Sequence, residues 1–215
     1  MESPFPEPVP DGTRLIETFG WSPEVGVRRL ERHLARMGRS AAVFGFPLDE
    51  DAARGRLAAL SGTAPLRCRL TLAQNGALDL TTAPLAPAPD RPWRVAIHPR
   101  TLRSDDPWLA HKTTQRALYD AARTDLPVGV DEWLFLNERG EICEGTITNL
   151  FVSLTDGRRL TPPRSAGLLP GILREELLET GQILEARVTL AMLAEADKIT
   201  LGNSLRGEIP SQLAR

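Results

Sequence analysis

Residues 13–21, with apolar Leu15, Ile16, Phe19 and Trp21, read as a strand. The apolar positions Val27, Leu30, Leu34, Met37, Ala41 and Phe44 then recur at three- and four-residue steps, which predicts an amphipathic helix over 23–44 with Pro23 in its first turn and an arginine-rich opposite face. A shorter helix is predicted after Pro47, capped by Asp49 and running to Leu60. Residues 66–72 and 77–82 alternate on either side of Asn75-Gly76, a hairpin signal. Further on, strands are expected at 93–98, 132–137, 141–147, 149–154, 183–188 and 198–201, and helices at 113–123, 171–180 and just after Thr189. Gly140 and Gly157 close the turns between strands. This mixture predicts an α+β or mixed α/β protein.

Two stretches lack periodicity. Residues 1–12 are rich in proline and acidic side chains and are expected to form a loose arm, and residues 82–92 read as an extended proline-rich connector. The connector suggests a small N-terminal α/β domain over 1–86 and a larger C-terminal domain over 87–215.

Composition narrows the partners. A 215-residue chain with 41% hydrophobic residues can bury a substantial core, and a formal net charge of -2 offers no basic field to capture nucleic acid or an anionic membrane. No apolar run is long enough to span a bilayer, and the first residues lack a basic-then-apolar leader. The expectation is a soluble cytoplasmic protein that acts on a small molecule. Cys68 and Cys143 are the only cysteines, too few for a disulfide framework and without metal-site spacing, so both should be reduced and packed. Lys112 and Lys198 are the only lysines among 26 lysines and arginines. A lysine amine can lose its proton and attack a carbonyl, which a guanidinium cannot do at ordinary pH.

Four separated segments carry a resemblance: Arg32-His-Leu-Ala-Arg-Met37, His111-Lys-Thr-Thr114, Cys143-Glu-Gly-Thr-Ile-Thr-Asn-Leu-Phe151 and Leu169-Pro-Gly-Ile-Leu-Arg174. In this order and spacing they resemble the class IV aminotransferases, pyridoxal-phosphate enzymes of fold type IV. The resemblance implies a small N-terminal domain, a larger domain with a barrel-like sheet and flanking helices, and a homodimer. It implies that Lys112 is the catalytic lysine that holds pyridoxal 5'-phosphate covalently. Taken alone, Lys112 is simply a lysine at a helix start. Glu144 matches the carboxylate that keeps the pyridine nitrogen protonated, with Glu141 as its competitor, and Asn149 completes that segment. Arg36 takes the position that binds phosphate, although Arg28, Arg29, Arg32 and Arg39 lie close by. The amides of Ile172 and Leu173 after Pro170-Gly171 are expected to bind phosphate at a helix start, and Asn203 and Ser204 to line the last cofactor loop. Arg206 is the candidate partner for a substrate carboxylate.

Within the family, Phe44-Gly-Phe-Pro47, His111-Lys-Thr-Thr-Gln-Arg116, Tyr119-Asp120, Gly167-Leu-Leu-Pro-Gly171 and Asn203-Ser-Leu-Arg-Gly207 resemble aminodeoxychorismate lyases, particularly the form fused behind a synthase. Two departures stand out. The chain starts late, without the usual opening Asp-Gly strand and turn, and Leu173 stands where aminotransferases often carry threonine. The implied reaction yields 4-aminobenzoate and pyruvate. A branched-chain or D-amino-acid aminotransferase and a non-catalytic cofactor-binding protein are the alternatives.

Overall fold

The computed structural model describes residue 5, residues 9–87 and residues 90–214. Residues 1–4 and 6–8 of the expected arm and 88–89 of the expected connector lie outside the described residues. The chain divides into two compact units, one of Met1–Pro87 with His111–Gln115, the other of Ala88–Ala110 with Arg116–Arg215.

In the first unit a four-stranded antiparallel sheet, ordered β2-β1-β3-β4, is built from β1 (Arg14–Ser22), β2 (Gly26–Val27), β3 (Leu66–Ala73) and β4 (Leu78–Pro84). Helices α1 (Leu30–Phe44) and α2 (Glu50–Ala58) complete it. Leu15, Phe19 and Trp21 of β1 pack with Leu34, Met37 and Ala41 of α1 in one core. Burying a side chain such as Leu34 contributes roughly 1.5–3 kcal/mol. Phe5 joins this unit, buried with its ring 4.5 Å from that of Phe44, so the expected loose arm is pinned at this residue.

The long first helix starts later than its periodicity suggests. Gly26 and Val27 turn back to pair with Ser22 and Trp21, and Arg29 adopts a left-handed φ of 57°, so helical hydrogen bonding begins only at Leu30. The second helix is capped as expected, with the Asp49 side chain accepting from the Ala52 amide.

Segment 111–115, expected within the larger domain, belongs to the first unit. The amide of Ile16 donates to the Lys112 carbonyl at 2.8 Å and that of Thr114 to the Arg14 carbonyl at 2.9 Å, while Thr113 bridges Leu15. Short β2 pairs only with the far end of β1, which leaves the near end to accept this segment. Helix α3 (Ala117–Thr124) therefore begins four residues later than the expected 113.

The second unit holds an eight-stranded mixed sheet ordered β10-β9-β8-β11-β12-β5-β6-β7. Its strands are β5 (Trp93–Ile97), β6 (Glu132–Leu136), β7 (Ile142–Gly145), β8 (Asn149–Ser153), β9 (Arg159–Thr161), β10 (Leu184–Glu185), β11 (Lys198–Asn203) and β12 (Gly207–Leu213). The last strand in that order, β7, runs through three residues into β8, the third, and Gly145 N donates to Thr148 O at 2.8 Å. The sheet must curl to allow this, giving a half-barrel, in line with the barrel-like sheet expected for the larger domain. Val95, Leu134, Ile142, Leu150, Val152 and Leu201 fill its core. Helices α4 (Ile172–Glu179) and α5 (Leu190–Ala194) flank it, the latter capped by Thr189. Both cysteines are free and buried. Among the described residues no helix is long and apolar enough to cross a membrane.

Candidate active site

The second unit carries a hydrogen-bonded network around Glu144 at the end of β7. Its Oε1 accepts from the Tyr119 hydroxyl of α3 at 2.7 Å and its Oε2 from the Leu169 amide at 3.1 Å. Burial and the Glu144 charge push the Tyr119 phenol well above its ordinary range, so this hydroxyl stays protonated and donates. The result is a buried carboxylate with a fixed orientation.

Asn149 holds the same loop from its other side. Its Nδ2 donates to the Leu169 carbonyl at 2.9 Å, and its Oδ1 lies so close to Gly171 that a Cβ there would sit 2.0 Å away. Asn149 is thus engaged beneath the loop that leads into α4. Helix α4 starts at Ile172 with no side-chain cap from Gly171, so the amides of Ile172 and Leu173 open the helix in the way an anion site needs. Gly171→Ala should force this loop away from Asn149. The expected outcome is a thermal-denaturation loss equivalent to roughly 2–3 kcal/mol, together with weaker cofactor binding; unchanged melting and affinity would show that the loop tolerates the shift.

The tight Glu-Gly sequence at 144–145 has a steric reason. A Cβ on Gly145 would meet Thr148 Oγ1 at 2.4 Å and the Glu132 side chain at 3.0 Å. Glu132, fully buried on β6, accepts from the amides of Thr146 at 3.1 Å and Ile147 at 3.3 Å and from the hydroxyls of Thr146 and Thr148, shaping the turn between β7 and β8. Burial pushes its carboxyl up against these hydrogen bonds. Asn203 Nδ2 donates to the Ile147 carbonyl at 3.1 Å and its Oδ1 accepts from the Arg206 amide at 2.9 Å, so the buried Ser204 sits in a turn tied to the first. Arg116 reaches the Thr146 carbonyl at 3.0 Å. The Arg206 guanidinium lies 5.8 Å from the Trp93 ring centre, within the same unit. Glu141, the sequence competitor of Glu144, is spent on Arg139, Arg187 and Asn137.

In the first unit are Lys112, half-buried on the segment that extends the β1 edge, and Arg36, buried on α1. Arg36 Nε and Nη2 bind the Glu17 carboxylate at 2.8 and 2.6 Å, and His33 Nδ1 lies 2.6 Å from Glu17 Oε2. His111 Nδ1 meets Ser40 Oγ at 2.9 Å. The structure therefore groups Arg36 with Lys112 in one unit, and Glu144, Asn149, Ile172, Leu173, Asn203, Ser204 and Arg206 in the other.

Three residues of these networks escaped the sequence reading of roles. Tyr119 carried a signal as the single tyrosine of the chain. Glu17 and Glu132 each occupy an apolar-facing position of their strand, between Leu15 and Phe19 and two before Leu134, where a carboxylate is costly unless it is bonded.

A half-barrel with a buried, oriented carboxylate and an open helix start is a scaffold suited to a phosphorylated, ring-nitrogen cofactor. The sequence model of the amino-transferase class IV family matches residues 14–212, and the chain belongs to this family. It is accordingly a pyridoxal-phosphate-dependent enzyme. A crystal structure from Mesorhizobium loti, provisionally named an amino-acid aminotransferase, is 44% identical with a TM-score of 0.89, covering 94% of this chain and 100% of that one. A Schizosaccharomyces pombe protein, provisionally named aminodeoxychorismate lyase, is 28% identical over 203 residues, 90% of this chain and 87% of its own. The 4-amino-4-deoxychorismate lyase of Pseudomonas aeruginosa is 26% identical with a TM-score of 0.75, covering 93% of this chain and 82% of that one.

Proposed function

We propose that the protein is an aminodeoxychorismate lyase that converts 4-amino-4-deoxychorismate to 4-aminobenzoate and pyruvate. The observation that carries the reading is the match to the fission-yeast protein of that name across nearly the full length of both chains. The likeness to the Pseudomonas enzyme supports it. A second reading, an amino-acid aminotransferase, is favoured by the 44% identity to the Mesorhizobium protein.

Each unit supplies groups of the kinds that pyridoxal phosphate requires. Glu144 offers a buried carboxylate for the pyridine nitrogen, the amides opening α4 and the Arg36 guanidinium suit a phosphate dianion, and Lys112 supplies the amine. Asn203 and Ser204 supply polar groups in the last loop, while Asn149 holds the loop before α4 in place. When bound, the cofactor supplies a conjugated pyridinium that accepts the electrons released at the substrate carbon. The Lys112 amine would hold the cofactor aldehyde and, when freed, would serve as the general base for the proton on the amine-bearing carbon of the substrate. Cleavage of the enolpyruvyl carbon–oxygen bond then aromatises the ring, and the atoms of the substrate divide between 4-aminobenzoate and pyruvate without added water. Glu144 holds the ring nitrogen protonated throughout.

Both readings share the same residues, so products decide between them. Purified holoenzyme given 4-amino-4-deoxychorismate and no 2-oxo acid should release 4-aminobenzoate and pyruvate in equal amounts over many turnovers. A single turnover that resumes only when a 2-oxo acid is added would establish the aminotransferase instead. We also assign a homodimer, as the family resemblance implies; light scattering at micromolar concentration should give about twice the chain mass of 23.6 kDa, and a monomer mass would refute it.

A further inference from the structure

The first unit contains a buried carboxylate that the reaction itself does not use. Glu17 is 1% exposed on β1, on the same face as Leu15 and Phe19, in a position that would ordinarily be apolar. Its two oxygens take Arg36 side-on, Oε1 from Nε at 2.8 Å and Oε2 from Nη2 at 2.6 Å. His33, three residues before Arg36 and so on the same helix face, places Nδ1 2.6 Å from Oε2, and its ring packs on Phe19 with centroids 5.2 Å apart. Burial alone would push the Glu17 carboxyl up. The Arg36 charge and the hydrogen bonds from His33 and Arg36 outweigh burial and hold it at about 2, so Glu17 is ionised at any neutral pH.

We propose that Glu17 is a positioning residue for the cofactor phosphate: it grips Arg36 by the Nε–Nη2 edge and so aims the Nη1–Nη2 end of the fork at the phosphate. The inference rests on the reading of Arg36 as the phosphate arginine. A free arginine side chain samples many rotamers. Glu17 and the packing around it remove that freedom before the ligand arrives, which is how preorganisation strengthens binding. A purely structural role predicts equal weakening of phosphorylated and unphosphorylated ligands, and a purely electrostatic role predicts the opposite sign. Glu17 is itself an anion near the phosphate site, so deleting its charge without loss of aim would strengthen phosphate binding or leave it unchanged.

The test compares binding of pyridoxal phosphate with binding of pyridoxal, which has the same aldehyde and ring but no phosphate, by absorbance titration of the apoprotein. Glu17→Gln should weaken pyridoxal phosphate roughly tenfold, the lower end of what losing an orienting partner costs at metal sites, while pyridoxal affinity stays unchanged. Glu17→Asp keeps the charge but shortens the arm. It should show the same selective loss, and it decides the matter if Glu17→Gln does not fold. Equal or tighter pyridoxal phosphate binding in these variants, or equal weakening of both ligands, overturns the positioning role. Arg36→Lys separates the two claims. If it reduces the preference for the phosphorylated ligand while the Glu17 variants do not, the phosphate arginine stands and the positioning role fails; if it leaves that preference intact, the reading of Arg36 fails and takes the inference with it.

Discussion

Lys112→Ala is expected to abolish turnover, and it is the largest effect anticipated for any single substitution in this chain. On the proposed reading two functions leave with the amine: the covalent hold on the cofactor aldehyde and the base that moves the substrate proton. Loss of a positioned general base alone slows a reaction by roughly 10²–10⁴. The fold should survive, because Lys112 is tied to β1 by its backbone carbonyl, which accepts from Ile16 N, and Thr114 holds Arg14 with both its amide and its hydroxyl oxygen. A melting temperature near that of the parent protein is therefore the control. Identification of the lysine is independent of activity. Borohydride reduction of the holoenzyme followed by peptide mapping should mark the peptide with Lys112 and leave Lys198 unmarked. Lys198 is exposed at the start of β11, in the second unit, and marking there would overturn the assignment.

The local patterns were legible where short-range chemistry decides structure. The Asn75-Gly76 hairpin formed, with Gly76 at a positive φ of 84°, because the turn geometry demands a residue without a Cβ and the flanking alternation fixes the register. Asp49 and Thr189 capped their helices for an equally local reason: each side chain bonds an amide three residues on. Elements whose existence depends on a distant partner were less legible. Strand β12, Gly207–Leu213, contains Pro210 and has no clear alternation, yet it pairs antiparallel with β11 and parallel with β5. Nothing within those seven residues announces two partners, one of them more than a hundred residues earlier. Segment 111–115 is the converse case. Its sequence continues the helical pattern of α3, but the open edge of β1 offers backbone bonds that a helix start would leave to water.

At the site, residue types were readable and their division of labour was not. The Glu-Gly-x-x-x-Asn spacing marked Glu144 and Asn149 together. The structure shows what the spacing does: Glu144 accepts from the Leu169 amide while Asn149 donates to the Leu169 carbonyl, so the two clip one residue from both sides. That peptide is twenty residues beyond Asn149, and only the fold could show it. Arg36 could not be chosen among its neighbours by composition. Its burial and its side-on grip by Glu17 distinguish it in the structure from the exposed or half-buried arginines around it.

Glu144→Gln is the second substitution with a large expected effect, and the structure changes what it should do. Shape alone suggests that the fold would barely notice. Both carboxylate oxygens, however, accept hydrogen bonds, one from the Tyr119 hydroxyl and one from the Leu169 amide, and a carboxamide has only one accepting oxygen. If that oxygen stays with Leu169, the amide nitrogen faces Tyr119, whose hydroxyl must turn to accept and leave its own proton unpaired in a buried setting. An unsatisfied buried donor costs about 1–3 kcal/mol, which for a chain of this size lowers the melting temperature by several degrees, at roughly 2–4 °C per kcal/mol. The catalytic loss should be much greater. On the proposed reading Glu144 is the negative charge that keeps the pyridine nitrogen protonated, and removing one preorganised electrostatic partner of this kind typically costs about 10²–10³ in kcat. Tyr119→Phe supplies the comparison, since it removes one hydrogen bond to Glu144 but keeps the charge; its stability loss should match that of the glutamine variant while its kcat falls far less. Turnover must be measured per folded, cofactor-loaded molecule in both variants. If Glu144→Gln loses stability but turns over like the parent protein, Glu144 serves only to clamp the loop before α4 and is not the partner of the pyridine nitrogen.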